Sequence, residues 1–394
     1  MAPIPRLKAY AGPPLLSYGF RPFFLFGALY AGLAVLTWMP FFMGELALAT
    51  AFSPLDWHIH EMIYGYLPAV VTGFLLTAIP NWTGRLPIQG GRLLMLVLVW
   101  VAGRVAVTTS TLIGWLPAAI IDSAFLLLVM AAAAREVLAG HNWRNLKVVL
   151  LLGVLAGGNI GFHLEAHVTD GADVAARLGL AAAVMLIMLI GGRIIPSFTR
   201  NWLARENPGR LPAPFGRFDV AAIAVGAVAL STWVVMPGTS IAASLLALAG
   251  ILQFVRLARW AGDRAARDRL VLVLHVGYAF VPTGFLLSAA GAFGVLAPAA
   301  GIHAWGAGAV GLITLAVMTR ASLGHTGAAL AASPSTQAIY AAALLAALAR
   351  IAAALMPAFM LPLLGFAAAA WACAFLGFVA AYGPRLLRAH RAGA

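Results

Sequence analysis

Apolar runs of about twenty residues recur along this chain. Long apolar runs are separated by short breaks that carry most of the charged residues. A helix needs about 20 mostly apolar residues to cross the hydrocarbon core of a bilayer, so runs of this length predict transmembrane helices. Twelve such runs occupy residues 18–43, 56–80, 92–110, 112–134, 147–168, 173–198, 218–236, 239–258, 269–292, 298–319, 336–355 and 358–383.

The segments between these spans are too short to form a soluble domain, and the longest covers residues 199–217. The split between the third and fourth spans depends on one polar break, Thr108-Thr109-Ser110. The chain is therefore predicted to be all-α, a polytopic membrane protein with a single transmembrane domain over residues 1–394. The basic, proline-containing N-terminus leads directly into the first span, so no cleavable signal peptide is expected.

Composition agrees with a lipid environment. Apolar residues make up 63% of the chain and charged residues 9%, whereas soluble domains average about 45–50% and about 25%. Disordered, coiled-coil and disulfide-rich classes are excluded. The lone cysteine, Cys373, cannot form an internal bridge, and no paired-cysteine metal motif exists.

The net charge of +13 would suggest nucleic-acid binding in a soluble protein. Here the basic residues lie in short breaks between apolar runs, as topology signals do, and nucleic-acid binding is not expected. With a cytoplasmic N-terminus, all lysines and arginines except Arg104, Arg177 and Arg350 fall in cytoplasmic segments or at cytoplasmic span ends. Both termini are therefore predicted to be cytoplasmic.

Histidines are the most informative polar residues inside the predicted spans, because ionisable groups there are costly and typically functional. With this topology, four of them form a layer near the periplasmic face, contributed by the second, fifth and tenth spans: His58, His60, His163 and His303. His275 and His325 form a thinner layer near the cytoplasmic face. Imidazole is a common ligand of haem iron and of copper. The alternative is that each histidine only hydrogen-bonds a carbonyl or a water.

The segment from Asp56 to Met62 is unusually polar for such an apolar chain. His58 and His60 point about 200° apart on a helix, so an unbroken helix cannot direct both to one ion. Glu61 is a candidate ligand, hydrogen-bond partner of an imidazole, or proton relay. Asp56 is expected to cap the helix, and a pairing of Asp122 with Arg104 is geometrically possible.

Three span ends share a signature, which suggests three units of four helices each. The second span ends in Ile79-Pro80-Asn81-Trp82-Thr83, the sixth in Ile195-Pro196-Ser197-Phe198-Thr199-Arg200, and the tenth in Met318-Thr319-Arg320. Membrane helices often end in aromatic, proline and arginine residues, which is the other explanation.

Several ordered motifs together resemble the NnrS family of bacterial inner-membrane proteins along nearly the whole chain. They are Gly19-Phe20-Arg21-Pro22-Phe23-Phe24, the segment from Asp56 to Met62, Gly73 to Arg85, Gly192-Arg193 with Ile195-Pro196 and Thr199-Arg200-Asn201, His275 with Gly277-Tyr278, and the run from His303 to Gly327. His167 matches none of these motifs.

The resemblance implies a twelve-span protein of the inner membrane that contains haem, of the b type, and copper. It also implies a role in nitric oxide metabolism and nitrosative stress, beside denitrification. The residues assigned on this basis are Glu61 as catalytic, His58, His60, His163 and His303 as metal ligands, and His60, His303, His275, His325, Arg193 and Arg320 as cofactor-binding. Within the histidine layer, we assign His60 and His303 to haem and His58 and His163 to copper. The histidine-proline-glutamate ligand segment of haem–copper oxidases and nitric oxide reductases is absent.

Three functions are compatible with these features. The first is a haem–copper protein that handles nitric oxide by redox chemistry, with a quinol or another electron donor as partner; such a protein could be an oxidoreductase. The second is a metal-free secondary transporter, which twelve spans interrupted by prolines would suit. The third is a haem-based sensor or assembly factor without turnover.

Overall fold

The structure is a computed structural model that describes residues 10–84 and 86–388, without the side chains of residues 81–83. It contains twelve long helices, numbered α1–α12 in chain order. Their bounds are Phe20–Phe42, Pro54–Pro80, Gly90–Thr108, Trp115–Ala139, Trp143–Thr169, Asp173–Glu206, Arg217–Val235, Ser240–Ala258, Arg269–Ala292, Ala299–His325, Pro334–Leu355 and Pro357–Leu387. All twelve are long and apolar enough to cross a membrane, which confirms the predicted multi-pass, all-α architecture.

Several helices extend beyond the predicted spans. The clearest case is α6, which was expected to end at residue 198 and continues to Glu206. Its last turns carry charged residues on one side and the buried Leu203 on the other. Such an amphipathic end is not apolar enough to be predicted as part of a transmembrane span, although its backbone remains helical. The break at Thr108–Ser110 does separate α3 from α4, with a short helix, Ser110–Ile113, between them.

Three helices contain a wider π-helical turn, and these are α2, α6 and α10. The turns cover Glu61–Tyr66, Ile187–Gly191 and Ala304–Val310. In α2 the turn precedes Pro68, which has no N–H to bond the carbonyl one turn earlier and so favours a local change of helical pitch. In α6 and α10 the turns contain or adjoin glycines, which hold a regular α-helix weakly. Turns of this kind frequently occur at functional sites.

Burial also repeats every four helices. In each successive set of four, the first two helices are more buried inside the protein than the last two. The helices with π turns are therefore inner helices that lie four apart in the chain. This period agrees with the repeat suggested by the span ends, although three packed four-helix units remain a prediction.

By their contacts, the residues group into two compact units. The first unit comprises Met1–Gly179, Met318–Ala329 and Phe378–Ala394, and the second comprises Leu180–Val317 and Leu330–Gly377. The first unit thus holds α1–α5, and the second holds α7–α9, α11 and most of α6, α10 and α12. The side of the membrane on which the termini lie stays a prediction, and His390, Arg6, Lys8 and Arg85 lie outside the described residues.

Candidate functional site

The start of α2 positions the polar segment recognised in the sequence. Ser53, not Asp56, is the N-cap: its hydroxyl accepts the N–H of Asp56 at 3.1 Å and donates to the Asp56 carboxylate at 2.6 Å. Pro54 occupies the first turn, where its missing N–H costs nothing. Asp56 therefore stabilises the cap from the third position of the helix, which corrects the expected role.

His60 and Glu61 lie inside the first unit and are completely buried. The Nδ1 atom of His60 lies 3.1 Å from Oε1 of Glu61. Its Nε2 atom lies 2.9 Å from Oδ1 of Asn159 and 3.2 Å from Oδ2 of Asp122. Both ring nitrogens thus face oxygen acceptors. Such a ring carries either two protons, or one proton and a bound cation.

Asp122 joins His60 to a second histidine. Nε2 of His163, on α5, lies 3.0 Å from the same Oδ2 atom of Asp122. The ligand atoms of His60, Asp122 and His163 all lie within 4.8 Å of one another, and all three residues are buried. A metal ion bound at about 2.0–2.2 Å to each ligand would separate tetrahedral ligands by about 3.3–3.6 Å. Oδ2 of Asp122 lies 3.2 and 3.0 Å from the two imidazole nitrogens, so a single ion would fit after a small outward shift of the ligands.

Arg104 holds the two carboxylates of this cluster. Its guanidinium pairs with Oε2 of Glu61 at 2.6 Å and with Oδ1 of Asp122. The pairing with Asp122 that the sequence allowed is therefore present. The hydroxyl of Tyr30 donates to the same Glu61 oxygen as Arg104. The guanidinium thus leaves Oδ2 of Asp122 directed to the two imidazoles.

This buried cluster carries a net negative charge that a bound cation would compensate. Two carboxylates and one guanidinium sum to a formal charge of −1 when both imidazoles are neutral, and burial makes an uncompensated charge costly. The amide nitrogen of Asn159, also buried, has no hydrogen-bond partner among the described residues. An unpartnered buried N–H requires an acceptor, such as a water or another ligand held by the same ion. We call Tyr30, His60, Glu61, Arg104, Asp122, Asn159 and His163 the buried cluster.

His58 does not join this cluster. Its ring stacks on Trp38 of α1, with centroids 4.1 Å apart and planes at 24°. The divergence of His58 from His60 was expected from helix periodicity. The structure pairs His60 with His163, whereas the sequence analysis had divided these two residues between haem and copper.

Two of the predicted ligands lie in the second unit and show the hydrogen bonding of a fixed imidazole tautomer. Nε2 of His275 lies 2.8 Å from the hydroxyl of Thr199, which itself donates to the Ile195 carbonyl, so Nε2 carries the proton. Nδ1 of His303 lies 2.7 Å from the carbonyl of Ala299, so here Nδ1 carries it. Metal-ligating histidines are usually oriented in this way through their other nitrogen.

The remaining predicted residues lie outside the buried cluster. The ring of His325 lies 5.6 Å from that of Tyr18 and 5.4 Å from that of Phe20, all in the first unit. Arg193 is exposed in the second unit, and Arg320 is half-buried in the first.

Tyr30 and Asn159 are site residues that the sequence pattern did not predict. A signal was present: Asn159 precedes His163 by four residues and therefore lies on the same face of α5.

The second unit holds another buried polar group that the sequence did not predict, around Arg256. The charge pattern predicts Arg256 to be one of the cytoplasmic basic residues. It is fully buried in α8, where its Nε donates to Asp219 at 3.0 Å and its Nη1 to the hydroxyl of Tyr278 at 2.9 Å.

Comparison with known proteins identifies the family. A sequence model described as NnrS protein matches residues 14–390, nearly the whole chain. A search of curated proteins finds no significant match. The motifs that carried the resemblance include the α2 segment that supplies His60 and Glu61 to the buried cluster. This chain is a member of the NnrS family.

Proposed function

We propose that this protein binds a copper ion between His60, His163 and Asp122 and uses it, together with haem, in redox chemistry of nitric oxide. The observation that carries the proposal is the buried set of two imidazole nitrogens and one carboxylate oxygen within 4.8 Å. Imidazole suits copper as well as zinc and iron, and the resemblance to a haem- and copper-containing family favours copper.

A bound copper ion would supply one-electron chemistry and a coordination position for a small ligand. The chain's own residues prepare the ligands. Glu61 accepts the Nδ1–H of His60, which directs the lone pair of Nε2 to the ion. Arg104 pairs with Oδ1 of Asp122 and leaves Oδ2 for the ion.

Glu61 is the residue that we propose to move protons. It accepts hydrogen bonds from Tyr30, Arg104 and His60, so its carboxylate can take up a proton from Tyr30 or from His60. Intramembrane carboxylates commonly serve as proton relays. This is the catalytic role proposed for Glu61.

The surroundings of His60 suit an ion rather than haem. The rings of Phe52, Tyr64 and Phe162 lie between 5.1 and 5.6 Å from its ring, and its nitrogens face Glu61, Asp122 and Asn159. His60 is therefore proposed as a ligand of the copper ion and not of haem, unlike the expectation from the sequence. The proposed haem-binding residues are those that remain: His275, His303, His325, Arg193 and Arg320.

Metal analysis of matched variants tests the proposal. His60→Ala, His163→Ala and Asp122→Asn should each abolish copper binding, because each removes one ligand of the ion. His167→Ala is the control: His167 lies one turn after His163 on α5 and stacks on Trp115. The purified proteins are analysed for copper and iron and by electron paramagnetic resonance, after a check of folding. Full copper in all three variants would refute the site.

The same preparations separate the alternative functions. A visible spectrum without a Soret band and an absence of copper would favour a metal-free transporter. Nitric oxide consumption with a quinol or another electron donor would establish an oxidoreductase, whereas metal binding without consumption would favour a sensor or assembly factor.

We propose that the protein lies in the bacterial inner membrane with both termini in the cytoplasm.

A further inference from the structure

A cavity that is widely open to the protein surface lies beside the buried cluster and has no role in the proposal above. It belongs to the first unit, has a volume of about 430 Å³, and is lined by residues of α1 and of the end of α3: Tyr30, Trp100, Val101, Arg104, Val105, Thr108 and Thr109. Its volume lies within the range of small-molecule sites, about 300–1,000 Å³.

Nearly all polar groups of the cavity wall are engaged within the protein. The hydroxyls of Thr108 and Thr109 donate to carbonyls one turn earlier in α3. The indole N–H of Trp100 donates to the Gly65 carbonyl, and the hydroxyl of Tyr30 donates to Glu61. The guanidinium of Arg104 is neutralised by its two carboxylates, and its buried Nε is the one wall donor without a hydrogen-bond partner among the described residues. The wall therefore offers little to a ligand with a polar head group, and it suits an uncharged, apolar one.

One side of the cavity faces outward and the other reaches the buried cluster. Val101 and Val105 are 41% and 56% exposed and lie within a membrane span, so this side faces lipid. Tyr30 and Arg104 form part of the wall, and both contact Glu61, which in turn contacts His60. A molecule in the cavity is thus separated from His60 by two side chains in series, first Tyr30 or Arg104 and then Glu61.

We infer that this cavity is a lateral port through which a small uncharged diatomic molecule passes from the lipid to the buried cluster. The inference extends the proposed function by naming the route of its substrate. Nitric oxide meets both requirements set by the wall: it carries no charge and needs no hydrogen bond. A lipid acyl chain or a quinone is the competing occupant.

Filling the port from its lipid side tests the inference. Val105→Trp should obstruct the cavity, whereas Leu98→Trp places the same ring two turns away on the same lipid-facing stripe of α3, outside the wall. Xenon binds apolar cavities. In crystals of the metal-free protein under xenon pressure, we expect xenon in the cavity of the wild type and of Leu98→Trp, and none in Val105→Trp.

Kinetics provide the second readout. With metal bound, Val105→Trp should slow nitric oxide association and dissociation by the same factor, about tenfold, because a port alters the rate of passage and leaves the equilibrium unchanged. Leu98→Trp should leave both rates unchanged. An acyl chain or quinone that fills the cavity and excludes xenon would overturn the inference, as would unchanged rates in Val105→Trp. Because the xenon experiment uses metal-free protein, its outcome is independent of whether the copper proposal holds.

Discussion

At the scale of single residues, Arg104 determines the geometry of the buried cluster. When both histidines are neutral, it is the only cation among the described members of the cluster, and it contacts both carboxylates. Removing one partner of a buried ion pair typically costs about 3–5 kcal/mol, because the other charge is left uncompensated. Arg104 is therefore needed for folding as well as for orienting Asp122, and substituting it directly would confuse the two effects.

Substituting Gly65 tests the orienting role of Arg104 while keeping its charge in the protein. A Cβ at this position, in the π turn of α2, would overlap the guanidinium of Arg104 and lie 2.7 Å from Oε2 of Glu61. Gly65→Ala should displace Arg104 and lower copper affinity by about 10–100-fold, the usual effect of disturbing a partner of a metal ligand. Copper titration of the apoprotein measures this change.

Gly157→Ala is the matched control for that substitution. Gly157 lies in α5, and a Cβ there meets nothing within 4 Å, so its copper affinity should remain that of the wild type. Equal affinity in the Gly65 and Gly157 variants would show that the close approach of Gly65 to Arg104 does not position the metal ligands.

At the scale of helices, the second unit relies on a comparable device. The π turn of α6 leaves the carbonyl of Met188 available to Nη1 of Arg256 at 3.0 Å, and Gly192 leaves space for the guanidinium. Arg256 lies near the end of α8, where the sequence predicts a solvated charge, but its guanidinium is buried. It joins α8 to α6, α7 and α9.

Loss of the Arg256 guanidinium should destabilise the protein strongly. Arg256→Met leaves the buried Asp219 with only the more distant and partly exposed Arg259 as a cation, and should lower the free energy of unfolding by about 3–5 kcal/mol. Arg259→Met is the control, because Arg259 is 35% exposed and lies 3.9 Å from Asp219; its loss should cost about 1 kcal/mol or less. Unfolding in detergent compares the two variants, and equal losses would contradict a structural role for Arg256.

The loops outside the spans contribute little by comparison. Hydrogen bonds from Arg210 lower the pKa of Asp263 in the loop after α8. A lowered pKa stabilises the fold above the ordinary carboxyl pKa, and this contribution is lost as the pH falls through the lowered value. Because both side chains are more than half exposed, Asp263→Asn should change stability at pH 7 by less than about 1 kcal/mol. A larger loss in thermal unfolding would mean that the pair holds the loop.

At the scale of the whole molecule, the orientation in the membrane is testable with single cysteines in a Cys373→Ser background. A cysteine at Ala47, exposed before α2, should react with an impermeant thiol reagent added to the periplasmic side. Cysteines at Pro208 and Ala266, exposed in the loops after α6 and α8, should react only after the membrane is opened. Reaction of Pro208→Cys from outside would reverse the predicted topology.

Sequence alone determined the twelve helices and the family, because both depend on local properties. Apolar runs of sufficient length specify membrane helices whatever their neighbours, since a backbone in lipid must satisfy its own hydrogen bonds. Ordered motifs such as Asp56 to Met62 likewise need no knowledge of packing. The divergence of His58 and His60 followed from helical period alone.

Only the tertiary structure decided which polar residues meet. Tyr30, Glu61, Arg104, Asp122 and His163 come from five different helices, and nothing in the local pattern specifies which faces of those helices touch. Depth in the membrane placed His58, His60 and His163 in one layer, but rotation about the helix axes separates His58 from the other two. The same holds for Arg256, whose position at a helix end indicated a solvated charge until packing buried it against Asp219. Hydropathy specifies the length and depth of a membrane helix, whereas its rotation and neighbours are set by side-chain packing between helices distant in sequence.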